Sequence, residues 1–104
     1  MSARIPPELL RKLRNEVEIR ELIKDLGLPW KTTEGVFRFL CPVCSDYHTA
    51  TNPATNLARC FICERNFNPI DLTMIVKNAS FLEAVRFLWR ENFAFQPYDH
   101  PHLP

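Results

Sequence analysis

Two short cysteine motifs constrain this chain more than any other feature of its sequence. Cys41 and Cys44 enclose two residues, and after fifteen intervening residues Cys60 and Cys63 enclose two more. Two C-x-x-C motifs at this separation are typical of one metal site, because each turn presents two thiolates and a hairpin can bring the turns together. All four cysteines of the chain are used. The spacing therefore predicts one structural Zn²⁺ held by Cys41, Cys44, Cys60 and Cys63 in a closed tetrahedral site.

Other uses of the cysteines remain open from the sequence. Two disulfides would suit a secreted protein, but residues 1–7 lack the apolar segment of a secretory signal. A tetrahedral thiolate site also accepts iron, as in a rubredoxin-like centre. A redox-active C-x-x-C pair is typical of a βαβ unit, and no such pattern surrounds these motifs. His48 could also replace one cysteine as a ligand, although the four thiolates already complete the set.

Length and charge limit the remaining possibilities. A chain of 104 residues forms one domain with a small core, which a bound metal would help to stabilise. Its 13 basic and 12 acidic residues give a formal charge of +1, which four thiolates and Zn²⁺ would change to −1. No apolar run approaches the roughly 20 residues of a membrane span. We expect a cytoplasmic protein without membrane contact, in which any nucleic-acid surface is a local patch.

Helices are predicted on both sides of the cysteine motifs. Residues 6–26 have a helical apolar pattern, with a step near residues 15–18 where the register slips. Asn68 and Pro69 are typical of the start of a further helix, and Asn78 is a plausible end for it. Ser80 with Glu83 three residues later is a capping-box pattern, and it predicts a last helix to about Glu91.

Strands are predicted between these helices. A linker is expected over residues 27–30, and strands over residues 36–40, 49–51 and 57–59. Asn66 and Asn68, which follow the second C-x-x-C motif, are expected to adopt left-handed backbone conformations. The predicted fold is α+β: a small zinc-ribbon domain flanked by N- and C-terminal helices. Its short antiparallel sheet carries the two C-x-x-C turns, which we call the zinc knuckles. The domain would span residues 1–95, followed by a mobile tail over residues 96–104.

Four stretches in this order resemble the N-terminal zinc-binding domain of bacterial and phage DNA primases. They are residues 13–23 (LRNEVEIRELI), 37–44 (FRFLCPVC), 59–63 (RCFIC), and Asp71 followed by 80–88 (SFLEAVRFL). A generic zinc ribbon would match the cysteines but not the flanking helices. Cellular primases usually have histidine as the second ligand, whereas the phage type has four cysteines, as here. Residues 47–51 differ from the Lys-Thr-Pro-Ser-Phe stretch that the family often has.

The resemblance implies a module that binds single-stranded template DNA and helps to position the start of primer synthesis. A complete primase continues into a polymerising domain whose clustered acidic residues hold divalent metal, and nothing of that kind follows Glu91. No D-x-D motif, phosphate-binding glycine loop or activated nucleophile occurs either. We therefore expect a non-catalytic chain that acts with a primase polymerising domain or a helicase.

Single-strand binding needs cations for the backbone and aromatic rings for the bases, and both surround the predicted zinc site. The candidate DNA-binding residues are Lys31, Arg38, Tyr47, His48, Arg59 and Arg65. Phe61 and Phe67 are further candidates for base stacking, although phenylalanines at such positions more often pack in a core. The alternative is a zinc-stabilised protein-interaction domain that docks a polymerase or helicase and has little affinity for DNA, which the near-neutral charge favours.

Overall fold

The computed structural model describes residues 5–93 and has the α+β architecture that the sequence predicts. This part of the chain forms four helices and two short antiparallel sheets. In chain order the elements are α1 (Pro7–Glu16), α2 (Ile19–Asp25), β1 (Trp30–Thr33), β2 (Val36–Phe39), β3 (Thr49–Asn52), β4 (Leu57–Cys60), β5 (Arg65–Phe67), α3 (Pro69–Lys77) and α4 (Phe81–Phe93). The predicted boundary at residue 95 and the predicted tail lie outside the described residues.

The first two helices separate where the apolar register slips. α1 ends at Glu16, and α2 begins at Ile19 after two residues with extended backbone conformations. The Glu18 carboxylate accepts a hydrogen bond from the Glu21 backbone N–H at 3.0 Å, so it caps the new helix. The step predicted at residues 15–18 is therefore present.

One buried side chain ties this helix break to the sheets. Asn56 lies in the turn before β4, is 7% exposed and has a φ of 56°. Its amide nitrogen donates to the carbonyl oxygens of Arg14 and Val17, both at 2.7 Å. Its Oδ1 accepts from the Ile19 backbone N–H at 3.0 Å. These long-range hydrogen bonds fix the position of the β3–β4 turn on the helices.

A two-stranded hairpin of β1 and β2 precedes the first cysteine pair. Only its second strand is predicted from the sequence, because residues 27–30 are expected to be a linker and Trp30 is instead the first residue of β1. The sequence of β1, WKTT, has no alternation of apolar and polar residues, and all four residues are exposed. Glu34 and Gly35 join the strands with φ values of 52° and 79°, as a tight hairpin turn requires.

The second sheet has the strand order β3–β4–β5. β3 and β4 extend the predicted strands by one residue each, while β5 is an additional strand. The expectation for Asn66 and Asn68 is wrong, because Asn66 lies in β5 and Asn68 has a φ of −89°. The left-handed conformations belong to Ser45 and Glu64, each directly after the second cysteine of a pair.

Local capping fixes the last two helices. Asn68 and Asp71 form a reciprocal capping box at the start of α3, with hydrogen bonds of 2.8 and 3.0 Å. α3 ends at Asn78, as predicted, and this residue has a left-handed backbone conformation. Ser80 and Glu83 form the predicted capping box at 2.8 and 3.1 Å, and α4 continues to Phe93.

The helices and the sheets share one hydrophobic core. Its largest fully buried hydrophobic side chains are Phe39, Phe67, Leu13, Ile19, Ile23, Leu72, Leu88 and Val85. Both cysteines nearest the strands, Cys41 and Cys60, belong to the same cluster. Within residues 5–93, none of the helices has the length and apolar character that crossing a bilayer requires.

Candidate metal centre

The strands bring the two cysteine pairs together at one end of the sheets. Cys41 and Cys44 follow β2, Cys60 ends β4, and Cys63 lies in the turn before β5. The four Sγ atoms all lie within 4.8 Å of one another, with Cys41–Cys63 at 3.9 Å and Cys44–Cys60 at 3.5 Å. All four cysteines are free. The predicted ligands are therefore positioned to hold a metal ion.

Each pair forms a turn whose backbone donates to sulfur. The Val43 N–H points to Cys41 Sγ and the Cys63 N–H to Cys60 Sγ, both at 3.4 Å. Hydrogen bonds of this kind stabilise a thiolate more than a neutral thiol. The left-handed residues Ser45 and Glu64 then turn the chain away from the site.

The distances fit a tetrahedral site. With metal–sulfur bonds of about 2.3 Å, the sulfur–sulfur edge of a tetrahedron is about 3.8 Å. The Cys41–Cys63 and Cys44–Cys60 Sγ separations of 3.9 and 3.5 Å lie on either side of this value. Four protein ligands complete a structural zinc site, so the set is compatible with one structural zinc. The same donor set also suits iron.

Without a metal, the four thiols compete for protons. Burial and hydrogen bonds to the other three thiols raise the pKa of Cys44 to about 12. Burial also raises the pKa of Cys60, but hydrogen bonds from the Cys63 backbone and from the Cys44 and Cys41 thiols outweigh it and lower the pKa to about 7. Without a metal, the cluster therefore favours a single thiolate and opposes the deprotonation of further thiols. A cation at the centre would remove this conflict.

Alternation along the strands separates a buried face of the sheets from an open one. Phe39 and Ala58 are fully buried. Their strand neighbours Arg38 and Arg59 therefore point to the opposite, open face. Arg38 also donates from Nη1 to the Thr49 carbonyl oxygen at 2.8 Å, so it links β2 to β3.

Three predicted cations lie on strand faces opposite to the buried residues, two in the first sheet and one in the second. Lys31 lies directly opposite Arg38, and Arg59 lies between Ala50 and Asn66 on its two neighbouring strands. Residues directly opposite each other in antiparallel strands share a face. We name Lys31, Arg38 and Arg59 the cationic row.

Two aromatic rings accompany the cationic row. Lys31 Nζ lies 4.4 Å from the centre of the Tyr47 ring, and Arg59 Cζ lies 5.5 Å from that of Phe61. Phe61 is 52% exposed. Arg59 and Phe61 line an open groove of about 520 Å³ together with Ala50, Thr51, Asn52, Pro53, Thr55, Leu57 and Asn66.

Of the remaining candidates, Arg65 and Phe67 lie on the opposite face of the sheet, whereas the His48 carbonyl oxygen accepts a hydrogen bond from the Phe61 backbone N–H at 2.9 Å. Arg65 is opposite Cys60 in the register, so it points away from the open face. Its Cζ lies 5.2 Å from the centre of the buried Phe67 ring. Phe67 belongs to the core and cannot stack on a base. His48 Nδ1 lies 2.6 Å from Asp46 Oδ1, and hydrogen bonds from His48 lower the pKa of Asp46. His48 lies outside the group of candidate metal ligands found within residues 5–93.

The groove also includes residues that the sequence does not single out. Leu57 could have been found from the alternation of β4, since it is two residues before Arg59. Asn66 could not, because its place depends on the pairing of the unpredicted β5 with β4.

Fold and site together define a small α+β domain with a candidate metal centre of four cysteines. Comparisons with known proteins do not extend this definition. No family model matches the chain. No curated protein matches it either.

Proposed function

We propose that this protein is a zinc-binding, non-catalytic module that binds single-stranded DNA on its open face. The observation that carries the proposal is the cationic row of Lys31, Arg38 and Arg59, with Tyr47 and Phe61 beside it. As the resemblance to primase zinc domains implies, the bound strand would be the template for primer synthesis in DNA replication. The polymerising activity would belong to a separate primase domain, with a helicase as a further partner.

The chemistry of the open face suits a single strand. Cations can neutralise successive phosphates, while exposed rings can stack on bases without reading their sequence. Lys31 and Arg59 each lie against a ring, so charge and stacking surface occur in pairs. Because the three cations are held on strands, little conformational entropy would be lost when they bind.

The metal centre would hold this surface in place. Cys41, Cys44, Cys60 and Cys63 would hold the zinc, which supplies a structural cross-link between the two knuckles. Cys60 lies between Arg59 and Phe61 in the chain. Fixing Cys60 therefore fixes the backbone on both sides, and removal of zinc should weaken DNA binding as well as stability.

A second candidate function is protein docking with little DNA affinity. It is favoured by three exposed apolar side chains within the knuckles, Val43, Phe61 and Ile62, which are 48%, 52% and 56% exposed. The formal charge of only +1 also favours it. Such a surface would dock a polymerase or helicase beside the metal centre.

A fluorescence-anisotropy titration tests the proposal. Zinc-loaded protein is added to a labelled single-stranded oligonucleotide over a series of salt concentrations, with a Lys31→Gln/Arg59→Gln double variant alongside. Each phosphate contact to a single strand contributes about 0.7 to the slope of log affinity against log salt. We expect the double variant to lower this slope by about 1.4.

Arg65→Gln is the control, compared per charge removed, because it removes one positive charge from the face of β5 opposite to the open face. The Arg65→Gln variant should keep most of the affinity for the oligonucleotide and leave the slope of log affinity against log salt unchanged. An equal loss in Arg65→Gln would refute the assignment to the open face. Failure of the zinc-loaded protein to bind at low salt would favour the docking function instead.

A further inference from the structure

A second surface of the β1–β2 hairpin combines an exposed aromatic ring with two cations. Trp30 and Lys31 are successive residues of β1, so Trp30 points away from the face that carries the cationic row. Trp30 is 46% exposed. It stacks on Phe37 with a ring separation of 5.4 Å and an interplanar angle of 20°. This surface is therefore distinct from the open face.

The cations come from one side of α2. Arg20 and Lys24 are four residues apart, so both project toward the hairpin from adjacent turns. Lys24 Nζ lies 4.6 Å from the centre of the Trp30 ring. Helix and hairpin together enclose a groove of about 400 Å³, lined by Arg20, Glu21, Lys24, Trp30, Thr32, Gly35 and Phe37.

Both cations have only weak partners. Lys24 pairs with Glu21 at 3.6 Å, and Arg20 pairs with Glu18 at 3.5 Å, with all four side chains between 37% and 66% exposed. Exposed ion pairs at this separation contribute little stability, and an exposed cation–ring contact is also weak. A stronger anion such as a phosphate can therefore draw Lys24 from the ring and from Glu21.

We propose that this groove binds a mononucleotide. The base would stack on Trp30, and the phosphates would lie between Lys24 and Arg20. A planar ring system joined to an anion matches both features, since bases stack on any aromatic face and phosphates form charge-assisted hydrogen bonds with lysine and arginine. The proposal does not depend on DNA binding at the open face.

Tryptophan fluorescence measures this binding directly. The chain has two tryptophans, of which Trp89 is buried at 3% exposure. Contact quenching by a stacked base therefore reports on Trp30. Zinc-loaded protein is titrated with ADP in the presence of Mg²⁺, with adenosine and inorganic pyrophosphate in parallel titrations, and the zinc content is measured afterwards. We expect saturable quenching by ADP, weaker quenching by adenosine and none by pyrophosphate.

Two lysine variants identify the site. Lys24→Gln should weaken ADP binding about tenfold, because it removes a charge-assisted contact to phosphate. Lys77→Gln is the matched control, since Lys77 also lies over an aromatic ring, that of Phe87, at 4.7 Å. It should leave ADP binding unchanged. Circular dichroism confirms that both variants remain folded.

Three results would overturn the proposal. The first is no saturable quenching at millimolar ADP, and the second is equal weakening by Lys24→Gln and Lys77→Gln. The third is quenching by a single-stranded oligonucleotide but not by ADP, which would make the groove part of a strand-binding path. Loss of DNA binding in the Lys31→Gln/Arg59→Gln variant together with retained ADP binding would separate this groove from the open face.

Discussion

Replacement of Asn56 is expected to destabilise the protein more than its small size suggests. Its side chain satisfies the Ile19 N–H and the Arg14 and Val17 carbonyl oxygens, and two of these three hydrogen bonds are buried. A buried polar group left without a partner costs about 1–3 kcal/mol. Water can reach the partly buried Arg14 carbonyl, so we expect the lost hydrogen bonds alone to cost about 3 kcal/mol in Asn56→Ala. Domains of this size have only about 5–15 kcal/mol of stability.

The backbone of Asn56 adds a separate contribution. Its φ of 56° lies in the left-handed region, where alanine is strained by about 1 kcal/mol and glycine is not. Asn56→Gly removes the same hydrogen bonds without that strain. Most of the loss should therefore remain in the glycine variant. Asn52→Ala is the matched control, because Asn52 ends β3 directly before the same turn and its Oδ1 accepts an exposed hydrogen bond from the Ala54 N–H at 2.9 Å.

Urea unfolding of the zinc-saturated protein, followed by circular dichroism, gives the free energy of unfolding for each variant. We expect Asn52→Ala to lose less than about 1 kcal/mol. If Asn56→Gly loses no more than Asn52→Ala, the coupling of the β3–β4 turn to the helix break contributes nothing to stability. The reasoning from buried hydrogen bonds would then be wrong.

Three further predictions concern the metal centre and the helix caps. Zinc affinity should fall as the pH is lowered, because the thiols must lose their protons to bind zinc and the pKa of Cys44 is raised to about 12 without metal. Competition with a coloured chelator at several pH values measures this affinity. Asn68→Ala should lower stability by about 1 kcal/mol, seen as a lower Tm. Hydrogen bonds from Ser80 lower the pKa of Glu83 from 4.5. The contribution of the Glu83 carboxylate to folding stability is therefore present above pH 4.5 and lost as the pH falls through the folded pKa. The Tm difference between wild type and Glu83→Gln should shrink over the same pH range.

Each of these has a clear contrary result. Zinc affinity that does not change with pH would mean that the thiols are not the ligands. An unchanged Tm in Asn68→Ala would show that the capping box at α3 is not needed for stability. A Tm difference for Glu83→Gln that stays constant with pH would show that the Glu83 carboxylate contributes nothing through its charge.

The sequence alone determines the features that depend on neighbouring residues. The spacing of Cys41, Cys44, Cys60 and Cys63 predicts their cluster, because a C-x-x-C turn places its own two thiolates together. The cap at Asn68, the Ser80–Glu83 capping box and the step between α1 and α2 are likewise local, and each forms where the pattern predicts. Such features need only a few consecutive residues, so a single sequence is enough to find them.

Tertiary structure decides the rest. Trp30 begins a strand that has no apolar alternation, and Phe61 is exposed while Phe67 is buried, although both are phenylalanines close to the second cysteine pair. Which cations share a face depends on strand register, which aligns Lys31 with Arg38 but turns Arg65 away. A shift of one residue would reverse every side chain of a strand. Register is fixed by contacts between residues far apart in the chain, and for that reason the functional surface cannot be read from local sequence.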